Sequence, residues 1–203
     1  VENLEKSAEK NIAGRFSEVE ELYDFVLSRK SAAGVVLAGM EKAIIPLRVT
    51  HNDTKFNNLL FDAKTKKPVS VIDLDTVMKG SMLYDFGDAV RTGCNSADED
   101  EPDLTKVKFL SDYYAAFEKA YLGVFGDDIT TEEKRLLGFS SMLMTYECGA
   151  RFLTDYLDGD VYFAVHKPKH NLLRAKTQFK LLKEMEKTFW PNKNTQYGIW
   201  NTW

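Results

Sequence analysis

The sequence predicts an α+β fold, mainly helical, with one small β-hairpin set among the helices. Three observations carry this. Apolar residues recur at helical spacing along most of the chain. Only residues 58–61 and 69–73 read as strands, on either side of the polar connection "DAKTKKP". After them the pattern turns helical and stays so. A length of 203 residues suits one domain or one large lobe, and 44% apolar with 29% charged residues are the proportions of an ordinary globular protein.

The elements follow in order. Residues 15–29, "RFSEVEELYDFVLSR", place Phe16, Val19, Leu22, Tyr23 and Val26 on one helical face. "SAAGVVLAGM" at 31–40 reads as a buried helix, and Pro46 is expected to end that segment, since proline cannot continue the backbone ladder. After the hairpin, "YDFGDAVRTG" predicts a short helix, "NSADEDEPD" an acidic loop, and "LTKVKFLSDYYAAFEKAYLG" an amphipathic helix. A long helix begins at "TTEEKR", with Thr130 and Glu133 spaced as a capping box. The last helix, near 168–188, carries Leu172, Phe179, Leu182 and Phe189 on one face. Lys176, Lys180, Lys183 and Lys187 on the other read as a solvated stripe.

Composition excludes several classes. A net charge of −4 and a pI near 5.5 lack the clustered basic surface of a nucleic-acid binder. The longest apolar run is half of the ~20 residues a membrane-spanning helix needs. No signal-peptide pattern opens the chain, and Cys94 and Cys148 are too few and too far apart for a disulfide framework or zinc site. A reducing, cytoplasmic setting is expected. The chain opens on Val1, without an initiating Met, which suggests a fragment. The tail "TFWPNKNTQYGIWNTW" reads as an anchor folded onto its own lobe, and no feature specifies an oligomeric state.

Chemistry concentrates in "THNDTKFNNLLFD", residues 50–62, where polar groups crowd against a strand-like run. Such groups are costly to order unless they have partners or a task. Histidine, aspartate and asparagine suit either a metal-dependent hydrolase or a phosphoryl-transfer loop. The spacing favours the second. His51, Asp53 and Asn58 reproduce the H-x-D-x-x-x-x-N interval of a kinase catalytic loop. There the Asp orients the acceptor hydroxyl and takes its proton, and the Asn reaches magnesium. A second magnesium carboxylate is then required after a returning strand, and "VSVID" ends in Asp73, fifteen residues beyond Asn58. Magnesium takes few protein ligands because phosphates and waters complete its octahedron. Asn58 and Asp73 are therefore a sufficient protein share. His51 is expected to hold the backbone of the loop. His166 and His170 lie far along the chain with no ligand spacing toward it.

With these residues assembled, the chain resembles the C-terminal lobe of the aminoglycoside phosphotransferase and choline kinase superfamily, which has a protein-kinase-like fold. Protein kinases fit less well, because "LDT" follows Asp73 in place of Phe-Gly and no A-P-E sequence follows. "HNDTKFNNLLF", "VIDLDTVMKGSMLYDFGDAVRTG" and "ECGARFLTDYLDGDVYF" are most similar to N-acetylhexosamine 1-kinases. The resemblance covers about residues 15–190 and implies transfer of phosphate from ATP, with magnesium, to the anomeric hydroxyl of N-acetylglucosamine or N-acetylgalactosamine. It implies Asp53 as catalytic base, Asn58 and Asp73 as magnesium ligands, and Asp85 of "YDFGD" as the brace of the catalytic loop. Asp75 is expected on the same strand face as Asp73, assisting the metal or the loop. Lys55 is either a γ-phosphate contact or a surface lysine, and Asp88 a helix surface or support residue. Arg151 matches a sugar-contacting arginine and Tyr162 an aromatic pocket wall. The alternative for Arg151 is an ordinary ion-pair ladder of Glu147, Arg151 and Asp155 along one helix face.

None of the twelve glycines falls in a G-x-G-x-x-G or Walker A pattern, and no V-A-I-K strand is present. The resemblance therefore implies that the nucleotide lobe, roughly 150 residues or about one domain, would precede Val1. Residues 1–203 would be the catalytic and substrate lobe of a two-lobe protein, with little activity alone. Two other classes stay open: a non-catalytic kinase-like binding module, and a hydrolase using His51, Asp53 and Asp73.

Overall fold

Seven α-helices and four short strands form the regular structure of residues 1–189, the part of the chain that the computed structural model describes. In order they are α1 (Glu2–Lys10), α2 (Glu20–Leu27), α3 (Val35–Glu41), β1 (Arg48–Thr50), β2 (Leu59–Phe61), β3 (Pro68–Val71), β4 (Met78–Gly80), α4 (Met82–Gly93), α5 (Ser111–Phe125), α6 (Thr131–Asp158) and α7 (His170–Phe189). This is the mainly helical α+β class that the sequence predicts. The Trp-rich tail, from Trp190 onward, lies outside the described residues. No helix among the described residues is long and apolar enough to cross a membrane. The chain divides into two units, one of residues 1–35, 96–109 and 145 onward, the other of residues 36–95 and 110–144.

The second unit holds all four strands. β1 pairs antiparallel with β4 (Arg48↔Gly80, Thr50↔Met78), and β2 pairs antiparallel with β3 (Leu59↔Val71, Leu60↔Ser70). The β2–β3 hairpin is thus nested inside the β1–β4 pair, and the ribbon opens between the two ladders into a bubble. Residues 51–58 form one side and residues 72–77 the other. Asp62 builds the hairpin turn by accepting the N–H groups of Lys64 and Thr65 on Oδ1, while Lys66 takes a left-handed φ of 57°.

Several boundaries differ from the sequence expectation; the helix expected from Leu104 begins only at Ser111. β3 stops at Val71 rather than residue 73, because Asp73 adopts a left-handed conformation (φ 63°, ψ 55°) and opens a 3₁₀ turn over Leu74–Thr76. The helix before Pro46 ends at Glu41, and its stop is a Schellman closure rather than the proline. The Ala43 N–H donates to Met40 O and the Ile44 N–H to Gly39 O, with Ala43 itself left-handed at φ 55°.

Helix α4 starts on Ser81, whose hydroxyl accepts the Leu83 N–H at 3.2 Å. It buries Met82, Leu83, Phe86 and Val90, and the Phe86 ring meets those of Tyr114, Phe117 and Tyr121 at 6.0, 5.3 and 5.0 Å between centroids. Gly87 lets α4 approach α6 closely: a Cβ there would stand 2.4 Å from Ser140 O. Helix α6 opens with the capping box of Thr130 and Glu133 that the sequence predicts. Glu133, fully buried, also takes both arms of the Arg48 guanidinium, at 2.7 and 2.8 Å. Strand β1 is thereby tied to the start of α6.

In the first unit the helix expected over 15–29 is a 3₁₀ turn (Phe16–Glu18) followed by α2, with Val19 and Val26 buried from the predicted face. Tyr146 of α6 closes onto α2 through a hydrogen bond from its hydroxyl to Val26 O at 3.0 Å. Phe179, Leu182 and Leu172 of α7 join Leu153 and Leu157 in the core. Gly149 admits the Phe179 ring, which would lie 2.5 Å from a Cβ at that position. Arg29 holds Glu186 with two hydrogen bonds, and Asp100 of the acidic loop receives Lys167 and His170. The lysine face of α7 pairs with its own helix, Lys180 and Lys187 both reaching Glu184.

A left-handed alanine costs about 1 kcal/mol that glycine does not pay. Ala43→Gly should therefore raise unfolding stability by about 1 kcal/mol, read from urea denaturation midpoints. An unchanged or lower midpoint would remove Ala43 as the strained residue of the α3 stop.

Candidate active site

The bubble in the strand ribbon gathers every candidate residue of the "HNDTKFNN" loop. Asp85, in the first turn of α4, fixes its near end: its two carboxylate oxygens accept the N–H groups of His51 and Asn52, each at 2.7 Å. Thr54 Oγ1 donates to the backbone O of the same residue at 2.6 Å. His51 uses both ring nitrogens inside the loop. Nδ1 accepts the Asp53 N–H at 3.3 Å, which makes Nε2 the donor to Ile72 O at 2.9 Å. A histidine so engaged has neither a lone pair for a metal nor a proton to shuttle. Among the described residues, no three His, Cys, Asp or Glu side chains converge as a metal-ligand group. Both observations weigh against the hydrolase alternative.

Asp53 is held on one side only. Its Oδ2 accepts Lys55 Nζ at 2.7 Å and Asn58 Nδ2 at 2.9 Å, and among the described residues Oδ1 has no hydrogen-bond partner. Burial pushes the Asp53 carboxyl up, but the hydrogen bonds from Lys55 and Asn58 outweigh it and hold it below the ordinary aspartate value. The Asp53 hydrogen bond, ahead of the carboxylates of Asp73 and Asp88 nearby, raises Lys55 in turn. The result is an ionised carboxylate, fixed in orientation, with one free oxygen: the form that can receive and align a hydroxyl proton.

The donor set suits a hard cation. Asn58 is buried, 5% exposed, and both of its side-chain hydrogen bonds come from Nδ2, to Asp53 O and Asp53 Oδ2. Its Oδ1 is left without a partner among the described residues. The Ile72 N–H donates to Asn58 O at 3.0 Å, so the next residue, Asp73, leaves the ribbon directly beside Asn58. The Asp73 carboxylate has no hydrogen bond or ion pair among the described residues, and neither does that of Asp75. Asp75 lies in the 3₁₀ turn and not, as the sequence suggested, on a strand face shared with Asp73. Asn58 Oδ1 and the carboxylates of Asp73 and Asp75 thus stand in the bubble without a hydrogen-bond partner among the described residues, and Lys55 is the bubble's one lysine. Unspent oxygen ligands in excess of positive charge fit magnesium.

Asp88 is no surface residue. It is buried on α4 and paired with Arg91, Nε to Oδ1 at 2.8 Å.

Arg151 and Tyr162 belong to the other unit. Arg151 lies over the rings of Tyr162 and Phe163, at 5.7 and 5.4 Å from the centroids, and donates to the Tyr162 hydroxyl at 3.4 Å. The ion-pair ladder is only half built. Glu147 stands 3.7 Å from Arg151, whereas Asp155 turns away and accepts the N–H groups of Val161, Tyr162 and Phe163. That carboxylate, 4% exposed, shapes the loop that presents Tyr162, which is itself 72% exposed.

Residues 11–128 match the sequence profile of the phosphotransferase enzyme family. The chain belongs to the phosphotransferase enzyme family. The matched span includes the whole strand ribbon and the Asp53, Asn58, Asp73 and Asp85 positions. A kinase-like protein of Caenorhabditis elegans is 27% identical over 119 residues, which is 59% of this chain and 30% of that protein. The chain spans less than a third of the length of that relative.

Two residues of the site escaped the sequence reading. Asn52 and Thr76 carry no motif, although an asparagine between His51 and Asp53 was a signal for the left-handed conformation it adopts, φ 62°.

Lys55→Met leaves burial and Asn58 to act on Asp53, so the Asp53 carboxyl should titrate higher in that variant, followed by ¹³C NMR. The depressed wild-type value adds stability above the ordinary aspartate range and loses it as pH falls through the folded value. The variant should show less of that acid loss. An unshifted Asp53 titration would dismiss Lys55 as the group that sets it.

Proposed function

We propose that this chain provides the catalytic half of an ATP- and magnesium-dependent phosphotransferase. Its acceptor is a small-molecule hydroxyl, and the sequence resemblance makes that the anomeric hydroxyl of N-acetylglucosamine or N-acetylgalactosamine. The observation that carries the reading is the one-sided grip on Asp53: Oδ2 is tied to Lys55 and Asn58 while Oδ1 stays open. Family membership supports the reaction type, and the sequence motifs around Arg151 and Tyr162 support the sugar.

In this scheme Asp53 aligns the acceptor hydroxyl for in-line attack and receives its proton. Its depressed pKa makes alignment the larger part of that work, since a weak base takes the proton only as the oxygen bonds to phosphorus. Lys55 keeps Asp53 ionised and adds positive charge where the transferred phosphoryl group arrives. Asn58 Oδ1 and the Asp73 carboxylate would hold magnesium, which supplies charge neutralisation on the ATP phosphates when bound. Asp85 and His51 keep the loop in place, and Asp75 adds negative charge beside Asp73. Arg151 and Tyr162 offer a guanidinium and an aromatic face, groups suited to the hydroxyls and the apolar side of a sugar ring.

A nucleotide-binding lobe is part of this proposal. The ribbon exposes apolar side chains that a lone lobe would bury, with Val49 80%, Val69 67% and Leu74 58% exposed.

With the nucleotide lobe present, Asp53→Asn should lower kcat for N-acetylhexosamine phosphorylation by at least about 10²-fold while the fold is retained by circular dichroism. Near-normal turnover by that variant overturns the role of Asp53. Phosphorylation of choline or an aminoglycoside, but of neither sugar, by the wild type would replace the acceptor.

A further inference from the structure

The two sides of the bubble are sewn together by groups that perform none of the proposed chemistry. Asn52, left-handed at φ 62°, sends Nδ2 across to Thr76 O at 2.9 Å. Thr76 returns the contact, its Oγ1 donating to His51 O at 2.6 Å. The Asn52 amide is itself met from behind: Thr50, almost fully buried, shares its Oγ1 proton between Asn52 Oδ1 at 3.0 Å and Met78 O at 3.1 Å. Gly80 makes room for that stack, because a Cβ at Gly80 would lie 2.6 Å from Thr50 Oγ1 and 3.3 Å from Asn52 Oδ1.

These bonds bracket Asp73. On its N-terminal side, Ile72 is pinned by its N–H to Asn58 O and by its carbonyl to His51 Nε2. On its C-terminal side, Thr76 is pinned to Asn52 and His51. Between those pins Asp73 holds a left-handed backbone, strained for a residue with a Cβ, and its carboxylate has no side-chain bond of its own to set its direction. The position of the Asp73 backbone, from which the carboxylate reaches toward Asn58, is therefore set by this bracket. The Asn58 amide, in contrast, is fixed directly by Asp53.

We propose that Asn52 and Thr76 are positioning residues for the cation. They form a clasp that fixes the distance between the Asp53–Asn58 loop and the Asp73 carboxylate, and so set the affinity of the site for a divalent metal ion. The inference rests on the magnesium reading of Asn58 and Asp73. It extends that reading to two residues outside the kinase-type motif. Groups that orient metal ligands from behind change metal affinity by roughly 10–100-fold when removed.

The test uses the 203-residue chain, with MgCl₂ titrations followed by backbone amide NMR and Mn²⁺ as a paramagnetic probe of the same signals. Asn52→Gly keeps the left-handed backbone but deletes the amide, and Thr76→Val deletes the hydroxyl while keeping size. Each should weaken Mg²⁺ and Mn²⁺ binding by about tenfold with a thermal midpoint close to wild type. Thr76→Ser, which retains the hydroxyl, should restore wild-type affinity. A merely structural role would instead lower the thermal midpoint in proportion and would not distinguish Thr76→Ser from Thr76→Val at the metal. Asp73→Asn is the control for the underlying reading. If it abolishes binding while Asn52→Gly and Thr76→Val bind as tightly as wild type, the clasp is overturned and the metal site stands. If wild-type and Asp73→Asn chains give the same cation response, the metal reading fails and takes the clasp with it.

Discussion

The carboxylate of Asp85 receives two consecutive backbone N–H groups, those of His51 and Asn52, each at 2.7 Å. A loop that leaves a strand must satisfy its amides elsewhere, and one acidic side chain at the start of α4 satisfies both at the point of departure. Charge-assisted bonds of this kind are stronger than neutral ones, so Asp85 fixes the near end of the loop firmly. His51 is then directed toward Ile72, Asn52 toward Thr76, and Asp53 toward Lys55 and Asn58. Asp85 can do this only because α4 is itself immobile, capped by Ser81 and packed through Phe86 and Gly87.

Electrostatics and geometry pull in different directions within the bubble. Burial alone would drive Asp53 toward its neutral form. Lys55 and Asn58 reverse that tendency locally, on one oxygen of one residue. Asp73 and Asp75 make no hydrogen bond or ion pair among the described residues, and Lys55 acts on Asp73 only at a distance. In the proposed reading, their charge is answered by magnesium when it binds.

Spacing made part of this visible in the sequence. His51, Asp53 and Asn58 stand at intervals set by a covalent turn, and the capping box of Thr130 and Glu133 is equally local, so both were legible as strings. Helical periodicity likewise gave α4, α6 and α7 and the buried faces of Leu172, Phe179 and Leu182. What spacing could not give was the backbone conformation of a single residue. Asp73 looked like the end of a strand because its neighbours are β-branched, yet it is left-handed, and that one φ angle moves Asp75 off the face assigned to it. Pro46 looked like a helix stop, but Ala43 had already closed the helix by a hydrogen-bond pattern that no alanine advertises. Asp155 looked like one rung of a ladder with Glu147 and Arg151. Its three amide partners belong to a loop whose path the helix period does not encode.

The nesting of one hairpin inside another strand pair also bears on the order in which the site comes together. Asp53, Asn58 and Asp73 are brought side by side by a single turn at Asp62, and hairpins close in roughly 1–10 μs. The contact that anchors the ribbon to the helices, from Arg48 to Glu133, spans 85 positions of sequence. Closing a loop of that length carries the larger entropic cost and comes later. The candidate reacting groups can therefore meet early, as a local event. Their rigidity arrives only when the distant helix is in place.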